Sequence, residues 1–304
     1  IRLISALSKT NKNKLTSKEI GSISGVSSAV ITAAARTGIL NEELVSRDSP
    51  YPVLNPDFKS KKLNPSQINV CDKIKELQKQ NNFSAILLQG VTGSGKTEVY
   101  LEAVANALRK GEQILVLLPE IALTSEFFNR VKDRFGENPA EWHSGATLAE
   151  RRRVWKMVAS GGAKLVIGAR SALFLPFMNL GLVIVDEEHD HSYKQEDGVI
   201  YNARDMAVLR SSIERSTVIL ASATPSLESW VNAKNGKYNH VQIHERYGEA
   251  TLPNLSVIDL RKENLKSDEW ISNRLEKSIT ECLQNSDQTL LFLNRRGYSP
   301  TTVC

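Results

Sequence analysis

The chain has 304 residues, 41% of them hydrophobic and 24% charged, and a formal net charge of +5. This is globular material enough for about two domains, and its basic lean permits a polyanionic partner. Its three distant cysteines (Cys71, Cys282, Cys304) exclude a disulfide framework and fit a reducing cytoplasm, and no apolar run is long enough to span a membrane.

The sequence opens at Ile1 without a methionine, shows no signal-peptide pattern, and reads as a fragment. Residues 1–56 differ in composition from the rest of the chain. Ile1 to Leu7 suits a short helix, and Thr16-Ser-Lys-Glu19 is a capping-box pattern that opens a second. Gly25-Val-Ser27 is a turn, and Ser28 to Thr37 is a helix stopped by Gly38. Two short helices about a glycine turn predict a helix-turn-helix, with a winged extension beginning at 39–45. Residues 57–63 close a proline-punctuated, basic linker. Leu63-Asn-Pro-Ser-Gln67 then leads into an amphipathic helix through Ile68, Cys71, Ile74 and Leu77, with Cys71 on its apolar face.

Gly90-Val-Thr-Gly-Ser-Gly-Lys-Thr97 fits G-x-x-x-x-G-K-[ST] between an apolar strand, Ala85 to Gln89, and a helix, Glu98 to Leu108. Strand, glycine turn and helix N-terminus make a phosphate site from backbone alone. Gly90, Thr92, Gly93, Ser94 and Gly95 form the cradle, Lys96 reaches the β/γ-phosphates of ATP, and the Thr97 hydroxyl holds Mg²⁺.

Beyond it, strands at Ile114–Leu118, Lys164–Ile167, Leu180–Val185 and Thr217–Ala221 alternate with helices at Ser125–Phe135 and Leu148–Ala159. This predicts an α/β fold, a parallel sheet with helices on both faces, over 64–235. Arg151, Arg152 and Arg153 are read as a solvated helix face. The strand Leu182-Val-Ile-Val185 runs into Asp186-Glu-Glu-His189. Asp186 is placed to hold Mg²⁺, Glu187 to orient and deprotonate the attacking water, and His189 to sense the γ-phosphate. Ser222 and Thr224, after the last strand, suit hydroxyl links to that acidic box. Glu120 and Arg170 sit at strand C-terminal ends, the ligand edge of α/β sheets. From about residue 236 a second unit is expected, with strands at Ser256–Leu260 and Thr289–Leu293 around a helix at Ile271–Gln284.

The P-loop, Asp186-Glu-Glu-His189 and Ser222-Ala-Thr224, in this order, resemble superfamily 2 helicases. The run Asp190-His-Ser-Tyr-Lys-Gln-Glu-Asp-Gly-Val-Ile-Tyr-Asn-Ala-Arg-Asp205 is similar to the aromatic-rich loop of the primosomal protein N′ family of bacterial replication-restart helicases. Leu117 to Thr124, Ile167 to Phe174 and Leu291 to Tyr298 match that family too.

The resemblance implies a RecA-like first helicase lobe, a winged helix before it and the start of a second RecA-like lobe over 236–304. It implies an ATP-dependent 3′-to-5′ DNA helicase that restarts stalled forks, acting on forked and single-stranded DNA. Primosome proteins, single-strand-binding protein and the replicative helicase loader are its implied partners. Gln67 becomes the adenine reader; Arg170, Tyr193, Lys194 and Tyr201 become DNA contacts or couplers. Aromatic faces stack on bases and cations neutralise phosphates. Cys304 matches the first of the family's Zn²⁺ ligands, the others lying past the chain. With the later second-lobe motifs also outside it, the fragment is expected to bind nucleotide and hydrolyse it poorly. A fork-reversal helicase and a non-hydrolysing docking module are the alternative readings.

Overall fold

The computed structural model describes residues 2–8, 10, 15–42, 49–80, 82–245, 254–263 and 271–292. The chain divides into two compact units, Ile1–Gly248 and Glu249–Cys304.

Three short helices open the first unit: α1 (Arg2–Leu7), α2 (Ser17–Ser24) and α3 (Ser28–Arg36). The capping box forms as predicted, with the Thr16 hydroxyl accepting from the Glu19 N–H and the Glu19 carboxyl accepting from the Thr16 N–H. Gly25 stops α2 at φ 65°, where glycine is favoured. Leu3, Ile20, Ile31 and Ala34 make a small core of their own. The expected wing at 39–45 lies partly outside the described residues, and its described part, 39–42, holds no strand.

The rest of the unit is a seven-stranded parallel sheet. Its strands are β1 (Ser84–Gly90), β2 (Gln113–Leu117), β3 (Ala140–Trp142), β4 (Leu165–Gly168), β5 (Leu180–Asp186), β8 (Thr217–Ser222) and β9 (Asn239–Ile243). A separate antiparallel pair, β6 (Lys194–Gln195) and β7 (Tyr201–Asn202), forms a hairpin between β5 and β8. The sheet order is β3-β4-β2-β5-β8-β1-β9. Helices α4 (Pro65–Lys79), α5 (Lys96–Arg109) and α6 (Ser125–Phe135) and then α7 (Leu148–Ala159), α8 (Ala203–Glu214) and α9 (Leu227–Lys234) complete it. A parallel sheet is covered on both faces, so its strands read as unbroken apolar runs. One core gathers Ile86, Leu88, Ile114, Val116 and Ile184 with Val99, Val104 and Phe135 of α5 and α6. The other gathers Leu87, Leu115, Val183 and Leu220 with Val154 and Val158 of α7 and Ala207 of α8.

Three features depart from expectation. Strand β9 pairs in register with β1, Ile86 opposite Asn239 through Gly90 opposite Ile243, so the first unit runs on past residue 236. The stretch before α4 is a fixed strap: Leu54 is buried, the Asn55 N–H donates to Phe135 O, and Arg134 Nη1 donates to Pro56 O. Arg151 and Arg153, half-exposed on the face read as solvated, also hold chain. Arg151 donates to His143 O and Ser144 O, and Arg153 donates to Ser49 O with its guanidinium 4.3 Å from the Tyr51 ring.

Helix α10 (Asn273–Gln284) forms in the second unit much as predicted, its N-cap Ser272 accepting from the Leu275 N–H. The described residues of the two strands expected around it, 256–260 and 289–292, are not strands. A strand needs a neighbour for its backbone groups, and the described part of this unit supplies none. The residues of the Leu291–Tyr298 run from 293 onward, and Cys304, lie outside the described residues.

Cys71 packs on the first core from α4. Burial, reinforced by the charges of Glu102 and Asp72, pushes its thiol up to about 12. Since the thiolate is the reactive form, site-resolved alkylation of Cys71 at pH 8 is expected to run roughly a thousandfold slower in the folded than in the unfolded protein. Comparable rates in the two states would contradict this placement.

Candidate nucleotide site and its coupling network

The P-loop leaves β1 at Gly90 and ends in the first turn of α5. Gly93 and Gly95 adopt φ 80° and 82°, the left-handed region that glycine enters at no steric cost. A Cβ on Gly90 would sit 2.5 Å from Ser94 Oγ and close to Lys96 and Ile243, so a side chain there would force the Ser94 hydroxyl to move. Lys96 is buried and folds back on its own loop, its Nζ donating to Gly90 O at 2.9 Å. Ser94 Oγ is buried without a hydrogen-bond partner. Thr92 stands exposed on the loop and Thr97 is half-buried on α5.

Gln67 lies beside this loop. It is the third residue of α4 and completes a capping box with Asn64, its Oε1 accepting from the Asn64 N–H at 2.9 Å. Its Nε2 donates to Ser94 O at 2.9 Å. Both ends of the amide are thus engaged by protein and the residue is 1% exposed, so Gln67 here braces the P-loop instead of presenting a free edge to a base.

The acidic box ends β5. Strand β8 lies between β1 and β5, which puts P-loop and acidic box at one sheet edge, about 10 Å apart by strand spacing. A residue the motif reading passed over joins them: the buried Tyr100 hydroxyl, one turn into α5, donates to Asp186 Oδ2 at 2.8 Å. The Thr97 side chain neighbours the same hydroxyl. Asp186 Oδ1 accepts from the Glu187 N–H at 3.0 Å. Burial, with the like charge of Glu187 beside it, lifts the Asp186 carboxyl above the usual range despite the Tyr100 hydrogen bond. A desolvated carboxylate gains from a nearby cation, and the Asp186 carboxylate with the Thr97 hydroxyl is the hard-oxygen set that Mg²⁺ takes.

Glu187 follows at φ 47°, a left-handed backbone that is uncommon for a residue with a side chain. The turn leaves its carboxyl partly exposed, with Oε2 3.6 Å from His189 Nδ1. His189 Nδ1 also lies 2.8 Å from Ser222 Oγ at the end of β8. Ser222 Oγ accepts from the Thr224 N–H at 3.0 Å, so of the two expected hydroxyl links to the acidic box Ser222 makes the contact, through His189, and Thr224 reaches only Ser222, by its backbone.

The expected DNA contacts fare differently. Tyr193 is 1% exposed, and its hydroxyl shares its proton between Leu117 O at 2.9 Å and Asp186 O at 2.6 Å. Its ring is packed in the second core, so it has no free face for a base. Burial pushes its phenol well above the ordinary range, keeping it a neutral donor. Arg170 Nη1 donates to Ser192 O and Lys194 O, holding the start of the hairpin rather than standing free. Lys194 is exposed beside Glu196 at 2.9 Å. The half-buried Tyr201 meets the Phe174 ring edge-on at 5.1 Å. Val199 and Ile200 stand exposed at the hairpin tip, which the sequence reading did not single out.

Residues 64–232 match the DEAD/DEAH box helicase family. The chain is similar to the replication restart protein PriA of Rickettsia felis, 44% identical over 84% of this chain and 40% of that protein. It is also similar to PriA of Bacillus subtilis, 38% identical over 96% of this chain and 36% of that protein. Among solved structures, RecG bound to a three-way DNA junction is similar at 23% identity and TM-score 0.47, over 63% of this chain and 25% of that one. The chain spans well under half the length of the curated relatives it matches.

Proposed function

Because this chain belongs to the DEAD/DEAH box helicase family, we propose that the protein is an ATP-dependent 3′-to-5′ DNA helicase that restarts stalled replication forks. The observation that carries the nucleotide half is the meeting of P-loop and acidic box at one sheet edge, tied by the Tyr100–Asp186 hydrogen bond. The DNA half draws on the likeness to restart proteins and on the hairpin that grows directly out of the acidic box.

In this reading Lys96 leaves Gly90 O for the β/γ-phosphates, and the P-loop N–H groups and the positive end of α5 receive the anion. Thr97 and Asp186 would hold Mg²⁺, which would supply charge neutralisation at the phosphates. Glu187 orients the attacking water and takes its proton; His189 carries the state of the site to Ser222. Gln67 reads adenine after giving up Ser94 O. Arg170, Lys194 and Tyr201 place the hairpin against single-stranded or forked DNA, and Tyr193 acts from beneath it as a coupler. Primosome proteins, single-strand-binding protein and the replicative helicase loader are the partners that the likeness suggests. A cytoplasmic setting and a Zn²⁺ site begun by Cys304 in the longer protein follow from the same likeness. Among the described residues, no helix is long and apolar enough to cross a membrane.

The test is ATP hydrolysis by the full-length protein with and without single-stranded DNA. Strong stimulation by DNA is the expected result. Hydrolysis that ignores DNA would leave a nucleotidase and remove the helicase.

A further inference from the structure

The acidic box contains a second glutamate that touches neither the P-loop nor Asp186, and it is the more buried of the two. Glu188 is 1% exposed and takes its side-chain hydrogen bonds from Arg204, Ser226 and Ser229. The left-handed turn at Glu187 sends the neighbouring side chains apart, while the Glu188 N–H stays tied to Ala221 O of β8. A carboxylate this deep is strongly unfavourable unless its lone pairs are filled. Here they are filled from two directions. Glu188 Oε1 accepts from the Ser226 N–H at 2.7 Å. Its Oε2 accepts from the Ser226 hydroxyl at 2.9 Å, from the Ser229 hydroxyl at 2.9 Å and from Arg204 Nη1 at 3.4 Å. Arg204, itself 6% exposed, also donates to the Ser226 hydroxyl.

The placement of these donors gives the network its meaning. Ser226 ends the Ser-Ala-Thr-Pro-Ser run and caps α9. Arg204 is the second residue of α8, whose N-cap Asn202 is the last residue of β7. The hairpin therefore leaves the acidic box at one end, through His189 to Tyr193, and returns to it at the other, through Arg204. We propose that Glu188 is a positioning residue, the buried hub through which the returning arm of the hairpin and the Ser-Ala-Thr segment set the conformation of the acidic box. This rests on the helicase reading above. Movement of the hairpin on DNA pulls on Arg204. Because Arg204 also donates to the Ser226 hydroxyl, which in turn donates to Glu188, the shift passes to Ser226 and to the turn that carries Glu187.

The test uses Glu188→Gln in the full-length protein, with Arg204→Lys as a second, milder variant. An amide at this position turns an NH₂ toward the Ser226 and Arg204 donors and breaks the hub while nearly keeping its volume. Four quantities are measured: basal ATP turnover, turnover saturated with single-stranded DNA, affinity for that DNA, and the melting transition. Folded variants are expected to keep basal turnover and DNA affinity within about threefold, while the stimulation by DNA falls about tenfold, the size of a typical coupling between sites. Unchanged stimulation in a folded variant would overturn the proposal. So would a proportional loss of basal and stimulated turnover, which marks a purely structural role. If Glu188→Gln does not fold, Arg204→Lys decides on the same readouts. Wild-type protein that DNA fails to stimulate would instead defeat the helicase reading.

Discussion

Glu187→Gln in the full-length protein is expected to reduce ATP turnover about 10²–10⁴-fold, the range a positioned general base supplies, while nucleotide affinity changes little. The separation follows from where the groups sit. Binding is the work of the P-loop, with its left-handed Gly93 and Gly95 and the buried Lys96, none of which hydrogen-bonds to the Glu187 carboxyl. The Glu187 carboxyl stands off the sheet edge on a backbone of φ 47°, closed by a hydrogen bond from the Asp190 N–H to Glu187 O. Glutamine keeps the size and the turn but cannot take a proton from water. Single-turnover hydrolysis together with titration of a fluorescent nucleotide separates the two effects. Turnover within about threefold of wild type would move the base elsewhere; a parallel loss of binding would mean that the turn itself had been damaged.

Tyr193→Ala is expected to lower stability by about 3–5 kcal/mol, as for other large buried rings. The ring is 1% exposed and lies against the apolar face formed by β2 and β5, so its removal leaves a cavity that rigid strands cannot close. Tyr193→Phe keeps the ring and deletes the hydroxyl that reaches Leu117 O and Asp186 O, and is expected to cost about 1–2 kcal/mol. Denaturant unfolding of both variants measures this. A loss below about 1 kcal/mol for Tyr193→Ala would mean that the ring is not held in the core. The pair also matters for DNA coupling. Weakened DNA response in Tyr193→Ala alone reports damage to the fold, whereas a weakened response in Tyr193→Phe reports the loss of a hydroxyl that pins the end of β5.

Much of this was written in the chain itself. The P-loop announces itself by spacing, because phosphate binding by backbone demands glycines at set intervals between a strand and a helix. The parallel sheet is legible because strands covered on both faces must be apolar throughout, as Val183, Ile184 and Val185 are. Helices α6 and α7 fall at the predicted residues because Thr124 and Thr147 are N-caps whose hydroxyls accept from the Phe127 and Glu150 N–H groups, a purely local interaction. Short or polar elements escaped the reading. Strands β6 and β7 have two residues each, too few for any periodicity, and β9 begins with exposed Asn239 and His240 because it lies at the sheet edge.

Direction, burial and partnership were decided by tertiary structure. Two tyrosines eight residues apart in one polar loop look alike in sequence, yet Tyr193 is fully buried and Tyr201 meets Phe174 at the surface. Glu187 and Glu188 are neighbours of identical chemistry. At the left-handed turn of Glu187 the first keeps a partly exposed carboxyl beside His189, and the second enters a buried cage of serines and an arginine. Nothing local distinguishes them. What separates them is which donors the sheet order and the return of the hairpin bring to each carboxyl, and those donors come from residues as far along the chain as Ser229. Residue types and spacings determined what chemistry this protein can perform; long-range packing determined which of the candidate side chains are free to perform it.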